Sequence, residues 1–175
     1  ALVAAVATGL VITAPGVGAV AFAQEAEVAA ANPANIEANK TAKLTIHKHA
    51  AADNPGERGN GLVDETLRGQ KGLQGAKFEY ARVIDYDLTT NEGWKKLSDS
   101  GLTADQVTDA MLGEKKEVTT GQDGSVEVSN LPLGLYYVKE TQAPQGHNVG
   151  ESKAFLVTLP MTNPKERNKW NYDVH

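Results

Sequence analysis

The stretch Leu135–Pro144, LYYVKETQAP, alternates along its length and ends in a proline-containing loop. Successive side chains of a β-strand point to opposite faces, so Tyr136, Val138 and Glu140 share one face of this segment. The opposite face carries residues 135, 137, 139 and 141. Carboxylates are rarely buried without a partner, yet this pattern puts one on a face expected to meet the core. It therefore predicts a half-buried strand in which Glu140 needs a partner.

Other short segments of the same kind surround this strand. Alternation and turn signals predict strands within residues 43–50, 75–84, 153–160 and 169–175, and two more within residues 118–131 around an Asp123-Gly124 turn. About seven short strands of this kind predict a mainly β protein, an antiparallel sandwich. One short inserted helix is predicted over residues 101–113, with Thr103 as N-cap, Gln106 completing a capping box and Gly113 at the stop.

The amino-acid composition limits the classes of function that the chain can have. The chain has 175 residues, a formal net charge of −5 and no cysteine. A mildly acidic chain without basic clusters does not favour nucleic acid as a partner, and the missing cysteines exclude a disulfide framework or a thiolate nucleophile. No Ser-His-Asp order or paired carboxylates indicate an enzyme, a cofactor or a small-molecule substrate. His47 and His49 have metal-ligand spacing, but without a third ligand no metal site is predicted.

The amino-terminal residues differ in composition from the rest of the chain. Residues 1–23 are uncharged and end in Ala21-Phe22-Ala23, an A-x-A site followed by polar sequence from Gln24. This pattern predicts a signal-peptide remnant cleaved between Ala23 and Gln24, and an apolar core helix is the alternative. Residues 24–40 are rich in Ala, Asn and Glu and are interpreted as a flexible leader. The folded domain is expected over residues 41–175.

A second ionisable group falls on an apolar strand face. In residues 43–50, Lys48 shares its face with Leu44 and Ile46. An unpaired buried ion costs several kcal/mol, so Lys48 and Glu140 each need the other, a neutral state, or both. A neutral amine is a nucleophile and a protonated carboxyl polarises a carbonyl, so a nearby Asn or Asp could yield an amide cross-link. The alternative is that Lys48 extends its ammonium into water from a strand end, and that Glu140 is a strand-end residue that caps the loop after it.

Three motifs in order resemble one protein family. Residues 136–147, YYVKETQAPQGH, resemble the E-box of sortase-assembled pilins of Gram-positive bacteria. The matching residues are Tyr136, Glu140, Thr141, Ala143, Pro144 and Gly146, whereas Val138 and His147 depart from the usual Leu and Tyr. Residues 44–50 and 73–80 are similar to the opening of Cna-B-type, immunoglobulin-like domains. Trp170 and Val174 match the start of the pilin motif W-x3-V-x-V-Y-P-K.

The resemblance is to the amino-terminal domain of a backbone (shaft) pilin of the corynebacterial type. It implies a secreted structural subunit of a cell-wall fimbrium that supports adhesion. A pilin-specific sortase would join neighbouring subunits through the motif lysine, and the assembled fibre would be attached to peptidoglycan. The sequence ends at His175, four residues before the expected motif lysine, and has no LPxTG signal. The domain is therefore expected to be truncated within its last strand.

Two alternative functions stay open at this level. One is a secreted enzyme with a β-sandwich domain, which the lack of a nucleophile or metal constellation disfavours, and the other is an adhesin module. A Cna-B-type stalk module of a wall-anchored adhesin would share the fold and the E-box. The resemblance also implies an isopeptide bond between Lys48 and an Asn, with Glu140 assisting, but Asn171 and Asp173 fall on the strand face opposite Trp170 and Val174. A non-covalent Lys48–Glu140 contact is therefore the favoured expectation. On that basis, loss of the Lys48 amine should be tolerated better than loss of the Glu140 carboxylate.

Overall fold

The computed structural model describes residues 31–50, 60–67, 69–147 and 153–175. The predicted signal remnant, its cleavage site at Ala23 and Gln24, and the leader up to residue 30 lie outside the described residues. The strands are β1 Ala42–His47, β2 Lys77–Val83, β3 Lys116–Thr119, β4 Ser125–Leu131, β5 Gly134–Gln142, β6 Phe155–Leu159, β7 Met161–Thr162, β8 Trp170–Asn171 and β9 Asp173–Val174. The helix is α1 Asn91–Ser100, and short 3₁₀ turns lie at Pro33–Asn35, Glu65–Leu67, Ala104–Gln106 and Asp109–Met111.

The strands form two main sheets that face each other. One sheet has the order β3-β2-β5-β6 and the other β4-β1-β9, while β7 and β8 form a small third ladder. Every pair is antiparallel except β1 with β9, which run parallel. This arrangement confirms the predicted mainly β, immunoglobulin-like sandwich, with the parallel terminal pair as a departure from purely antiparallel pairing.

Two apolar clusters hold the layers together. The larger one lies between the sheets and includes Leu44, Ile46, Phe78, Val138 and Val174. The smaller one packs α1 on the outer face of β5 and β6, and includes Val83, Leu88, Leu97, Leu135 and Leu156. Both faces of β5 are therefore covered over its first half. Its burial still alternates beyond Val138, where Lys139 is exposed and Glu140 is buried.

The helix lies ten residues earlier than predicted. The Thr90 hydroxyl accepts a hydrogen bond from the Gly93 N–H at 3.0 Å and starts α1, and Gly101 ends it with φ of 56°. The predicted cap of residues 101–113 does form, since the Gln106 side chain accepts from the Thr103 N–H at 2.9 Å. It is followed only by 3₁₀ turns, because Gly113 N–H bonds to the Arg82 carbonyl at 2.8 Å and draws this segment onto β2. Within the described residues, no helix is long and apolar enough to cross a membrane.

The strands around Asp123-Gly124 do not form the expected hairpin ladder. The local turn is present, since the Gly124 N–H bonds to the Gly121 carbonyl at 3.0 Å. However, β3 pairs with β2 and β4 pairs with β1, so the turn carries the chain from one sheet to the other. Each strand pairs with a strand of its own sheet instead, because strand pairing depends on packing within the assembled sheet more than on local turn signals.

The terminal segment is divided and covered by the amino-terminal residues. The single strand predicted over residues 169–175 is two short strands with a bend at Tyr172. Residues 31–40 lie against it: the Trp170 indole N–H donates to the Asn32 carbonyl at 3.1 Å, and the Glu37 N–H donates to the Tyr172 hydroxyl at 2.8 Å. This part of the leader is therefore packed on the domain, in contrast to the flexible segment predicted for residues 24–40, because Trp170 and Tyr172 offer it an apolar surface and polar partners.

Candidate functional site

The structure brings Lys48 and Glu140 together at the edge of the main core. The Lys48 Nζ lies 2.9 Å from Glu140 Oε2. The Glu140 side chain is fully buried, whereas the Lys48 side chain is 22% exposed to solvent. The two groups thus form an ion pair whose anion lies inside the domain and whose cation reaches its edge.

A tight backbone junction positions Lys48. Its N–H donates to the Gly124 carbonyl at 2.7 Å, and its own carbonyl accepts from the Leu73 N–H at 2.8 Å. Gly124 has φ of +76°, and a Cβ there would lie 2.4 Å from the Gly72 Cα. A Cβ on Gly72 would lie 1.8 Å from the Asp123 carbonyl oxygen. Only glycine fits at both positions, so the two glycines hold the turn against the end of β1 and fix the direction of the Lys48 side chain.

The second oxygen of Glu140 has no hydrogen-bond partner in the part of the chain that the structure describes. Glu140 Oε1 is buried and makes no hydrogen bond within the described residues. The two candidates for a third group that the sequence offered lie elsewhere: the Asn171 amide donates to the Gly61 carbonyl at 2.7 Å, and Asp173 pairs with Lys43, at the opposite end of β1 from Lys48, at 3.0 Å. No hydrogen bond joins the Lys48 amine to an Asn or Asp side chain in the described part of the chain. As it stands, the arrangement is an ion pair and not an assembled amide-forming site.

The remaining E-box residues shape the strand and the turn after it. The buried Tyr136 hydroxyl donates to the Pro132 carbonyl at 2.8 Å, and burial raises the pKa of Tyr136 to about 12. Thr141 is exposed, Ala143 is half-buried and Pro144 is buried. The His147 N–H bonds to the Pro144 carbonyl at 3.0 Å across a turn in which Gly146 has φ of +84°. The motif thus combines a buried strand end with a turn that favours glycine.

The two pilin-motif residues lie in different surroundings. Val174 is 1% exposed and pairs with Leu44 of β1. Trp170 is half-buried, with its ring centroid 4.8 Å from that of Trp94 on α1. Sequence reasoning missed Trp94 and Asn32 as partners of Trp170. The Thr90 cap and Gly101 stop could have located α1, but the polar residues 31–40 carry no pattern that predicts docking.

The histidines form a row instead of a metal site. His47 Nε2 lies 3.1 Å from His175 Nδ1, and the His49 ring lies beyond His47. Among the residues that the structure describes, no group of three or more His, Cys, Asp or Glu side chains has a metal-binding arrangement.

A two-sheet sandwich with an E-box strand, its buried ion pair and the start of a pilin motif defines a pilin domain. Residues 39–175 match the family model for the Gram-positive pilin subunit D1, N-terminal domain, and the chain belongs to this family. It is similar to the fimbrial subunit type 1 of Actinomyces viscosus, at 36% identity over 82% of this chain and 27% of the relative. It is also similar to the fimbrial subunit type 2 of Actinomyces naeslundii, at 31% identity over 88% of this chain and 32% of the relative.

Solved structures agree with this assignment. The fimbrial protein FimP from Actinomyces oris is similar with a TM-score of 0.67 and 31% identity, over 82% of this chain and 30% of that chain. The SpaA pilin of Corynebacterium diphtheriae, in complex with a signal peptide, gives a TM-score of 0.62 and 25% identity over 78% of this chain and 94% of that chain. The present chain spans about a third or less of the two curated relatives.

Proposed function

We propose that this chain is the amino-terminal domain of a structural shaft subunit in a covalently polymerised cell-surface pilus, and a substrate of a pilin-specific sortase. Its partners are then neighbouring pilin subunits, the sortase, and peptidoglycan through the assembled fibre. The protein is secreted and held at the cell wall, and it supports adhesion without being an enzyme. Membership of the pilin D1 family and similarity to two fimbrial subunits support the proposal.

One observation carries the sortase part. A transpeptidase needs an acceptor amine on an ordered segment, because a positioned nucleophile reacts far faster than a freely diffusing one. The first part of the pilin motif is ordered here: Val174 is buried beside Leu44, and Trp170 is fixed by its ring contact with Trp94 and its bond to Asn32. This anchoring supports the use of the segment as the acceptor side of a subunit junction.

The chemistry of the junction belongs to the sortase. The enzyme would cleave a donor LPxTG signal and transfer the Thr carbonyl to the motif lysine of the next subunit. The Lys48–Glu140 pair has a separate, structural role in this proposal. It closes the sandwich at the end of β1, and with a further Asn or Asp it is the place where an intradomain isopeptide bond would form.

An in-vitro conjugation tests the sortase assignment. The pilin sortase and an LPxTG peptide donor are mixed with two forms of the chain, one ending at His175 and one extended through the V-Y-P-K expected from the motif. Conjugation only to the extended form, lost when its motif lysine is changed to Ala, supports the proposal. Equal conjugation to the form ending at His175 would assign the acceptor to another lysine, such as Lys165 or Lys169. No conjugation to either form would favour an adhesin stalk module.

A further inference from the structure

Three of the four histidines lie in one row at the end of β1. The rings of His47 and His175 have centroids 5.4 Å apart and an angle of 25° between their planes. The rings of His47 and His49 are 6.4 Å apart at 12°. His47 Nε2 and His175 Nδ1 approach to 3.1 Å, a hydrogen-bond distance. The proposed function uses none of these three side chains.

Charged groups from several elements face this row. His175 Nε2 lies 3.3 Å from Asp173 Oδ1, so His175 bridges a carboxylate and a second imidazole. Asp173 also pairs with Lys43 at 3.0 Å. Among the described residues, the titratable or charged groups facing the row are Lys43 on β1, Asp64 beside His49, Asp123 beside His47, Glu127 on β4 beside Lys43, and Asp173 on β9.

The contact between the two rings depends on their protonation. A hydrogen bond between imidazole nitrogens needs one donor and one acceptor, so it forms when at most one of the two rings is charged. When both rings are protonated, both facing nitrogens are donors and the like charges repel. Partial desolvation lowers the pKa of His47, and His175 and His49 lower it further, while Asp123 opposes the shift. Lowering the pH therefore weakens the contact between His47 and His175.

The same contact joins β1 to the residue that follows β9. β9 pairs with β1 at two positions, Lys43 with Asp173 and Leu44 with Val174. Within the described residues, two further backbone bonds hold this segment, from the Lys43 N–H to the Tyr172 carbonyl at 2.8 Å and from the His175 N–H to the Gly61 carbonyl at 3.1 Å, and Val174 is buried in the core. We propose that the His47–His175 contact is an acid-sensitive clasp, which holds β9 on β1 when at most one ring is charged and loosens it when both are.

The direction of the pH effect follows from His47. Its folded pKa lies below the ordinary value of about 6.5, so its contribution is fully present above that pH and falls as the pH drops from there toward the folded pKa. The clasp itself does not depend on the sortase assignment.

Amide exchange measured by NMR tests the clasp on the intact chain. Protection factors of the Lys43 and His175 amides, corrected for intrinsic exchange, are compared at about pH 7.5 and about pH 5.0. Carboxylates with an ordinary pKa of about 4 are still largely ionised at the lower pH. EDTA is present so that trace metal does not contribute. We expect protection of these two amides to fall about tenfold in acid, while the β2–β5 ladder changes by less than about twofold. Unchanged protection at Lys43 and His175 would overturn the proposal.

Two variants separate the clasp from a general acid effect. His47→Gln keeps a polar side chain beside His175 but cannot be charged, so it should abolish the pH response. His147→Gln removes an exposed histidine in the turn after Pro144 and should leave the response as in the parent. An equal acid response in His47→Gln contradicts the clasp. If that variant does not fold, the His47 ring is titrated directly in the parent chain, where a midpoint at or above about 6.5 overturns the inference.

Discussion

Glu140 is the fully buried member and Lys48 the partly exposed member of an ion pair closed at 2.9 Å. Loss of the amine would leave an uncompensated carboxylate inside the domain, whereas a Lys48 without its partner can extend toward water. From the sequence, loss of the Lys48 amine was expected to be tolerated better than loss of the Glu140 carboxylate. The solvent exposure of the two side chains leads to the opposite expectation.

Lys48→Met should therefore lower the free energy of unfolding by about 3–5 kcal/mol at neutral pH. Glu140→Gln, which keeps a carbonyl acceptor for Lys48, should cost about 1–2 kcal/mol. Urea unfolding of both variants measures the difference. The double variant Lys48→Met/Glu140→Leu is the control, because an apolar pair avoids the desolvation penalty and should recover most of the loss. Equal and negligible effects of the single variants would show that both groups are solvated.

Intact-mass measurement decides whether the pair becomes covalent in this chain. We expect the calculated mass without loss, because the Asn171 amide and the Asp173 carboxylate are engaged with Gly61 and Lys43 rather than with Lys48. A mass lower by one ammonia would demonstrate an Asn partner, and a mass lower by one water an Asp partner. Either result is checked with Lys48→Met, which should restore the full mass.

The glycine junction that positions Lys48 should be intolerant of a single methyl group. Gly124→Ala places a Cβ 2.4 Å from the Gly72 Cα and 2.5 Å from the Lys48 carbonyl oxygen, at a φ of +76°. We expect a loss of about 3 kcal/mol or more, from backbone collision added to left-handed strain. Gly75→Ala is a matched control, since Gly75 has φ of +88° and nothing within 4 Å of its Cβ position. It should cost only about 1–2 kcal/mol in thermal or urea unfolding, and equal losses would refute the collision.

Ionisation of Tyr136 should lower the free energy of unfolding of the domain at alkaline pH. Burial raises the pKa of Tyr136 to about 12, so the folded state holds the phenol proton that the unfolded chain releases near pH 10. The associated stability is present below about pH 10 and is lost as the pH rises to about 12. Tyr136→Phe should cost about 1 kcal/mol at neutral pH by removing the bond to the Pro132 carbonyl.

Between about pH 10 and pH 12, the parent should lose about 2–3 kcal/mol more than Tyr136→Phe, because only the parent has this phenol to ionise. The comparison isolates Tyr136, since both proteins share every lysine and the remaining tyrosines. Urea unfolding across that range measures it. Parallel losses in the two proteins would mean that the phenol is already accessible to solvent.

Docking of residues 31–40 is tested at one hydroxyl. The Tyr172 hydroxyl accepts a hydrogen bond from the Glu37 N–H at 2.8 Å, and the Lys40 ammonium lies 5.0 Å from the centroid of its ring. Tyr172→Phe should lower the unfolding free energy by about 0.5–1.5 kcal/mol and increase amide exchange at Glu37. Tyr137→Phe is the control, because that hydroxyl makes no hydrogen bond within the described residues. Unaltered exchange at Glu37 would indicate that the segment is held by other contacts.

The sequence alone determined the side-chain faces of the strands. Alternation with a period of two put Glu140 with Tyr136 and Val138, and Lys48 with Leu44 and Ile46, and these faces are the ones that meet the core. The prediction of these faces succeeds because the side to which each side chain of a strand points is a local property. A one-residue slip in register would expose every apolar side chain of the face. The loop after this strand was also predicted, because Pro144 is a local turn signal.

Strand partners and the contacts between distant segments were decided only by the tertiary structure. The cap at Thr103 and the turn at Asp123-Gly124 both form, yet the helix and the hairpin that they predict do not. The segment after Thr103 bonds to β2 through Gly113, and β3 and β4 pair with β2 and β1, which are distant in sequence. The approach of His175 to His47 joins residues 128 apart in sequence. No local pattern encodes such a contact, since it depends on the parallel docking of β9, whose free energy is set by the assembled sandwich.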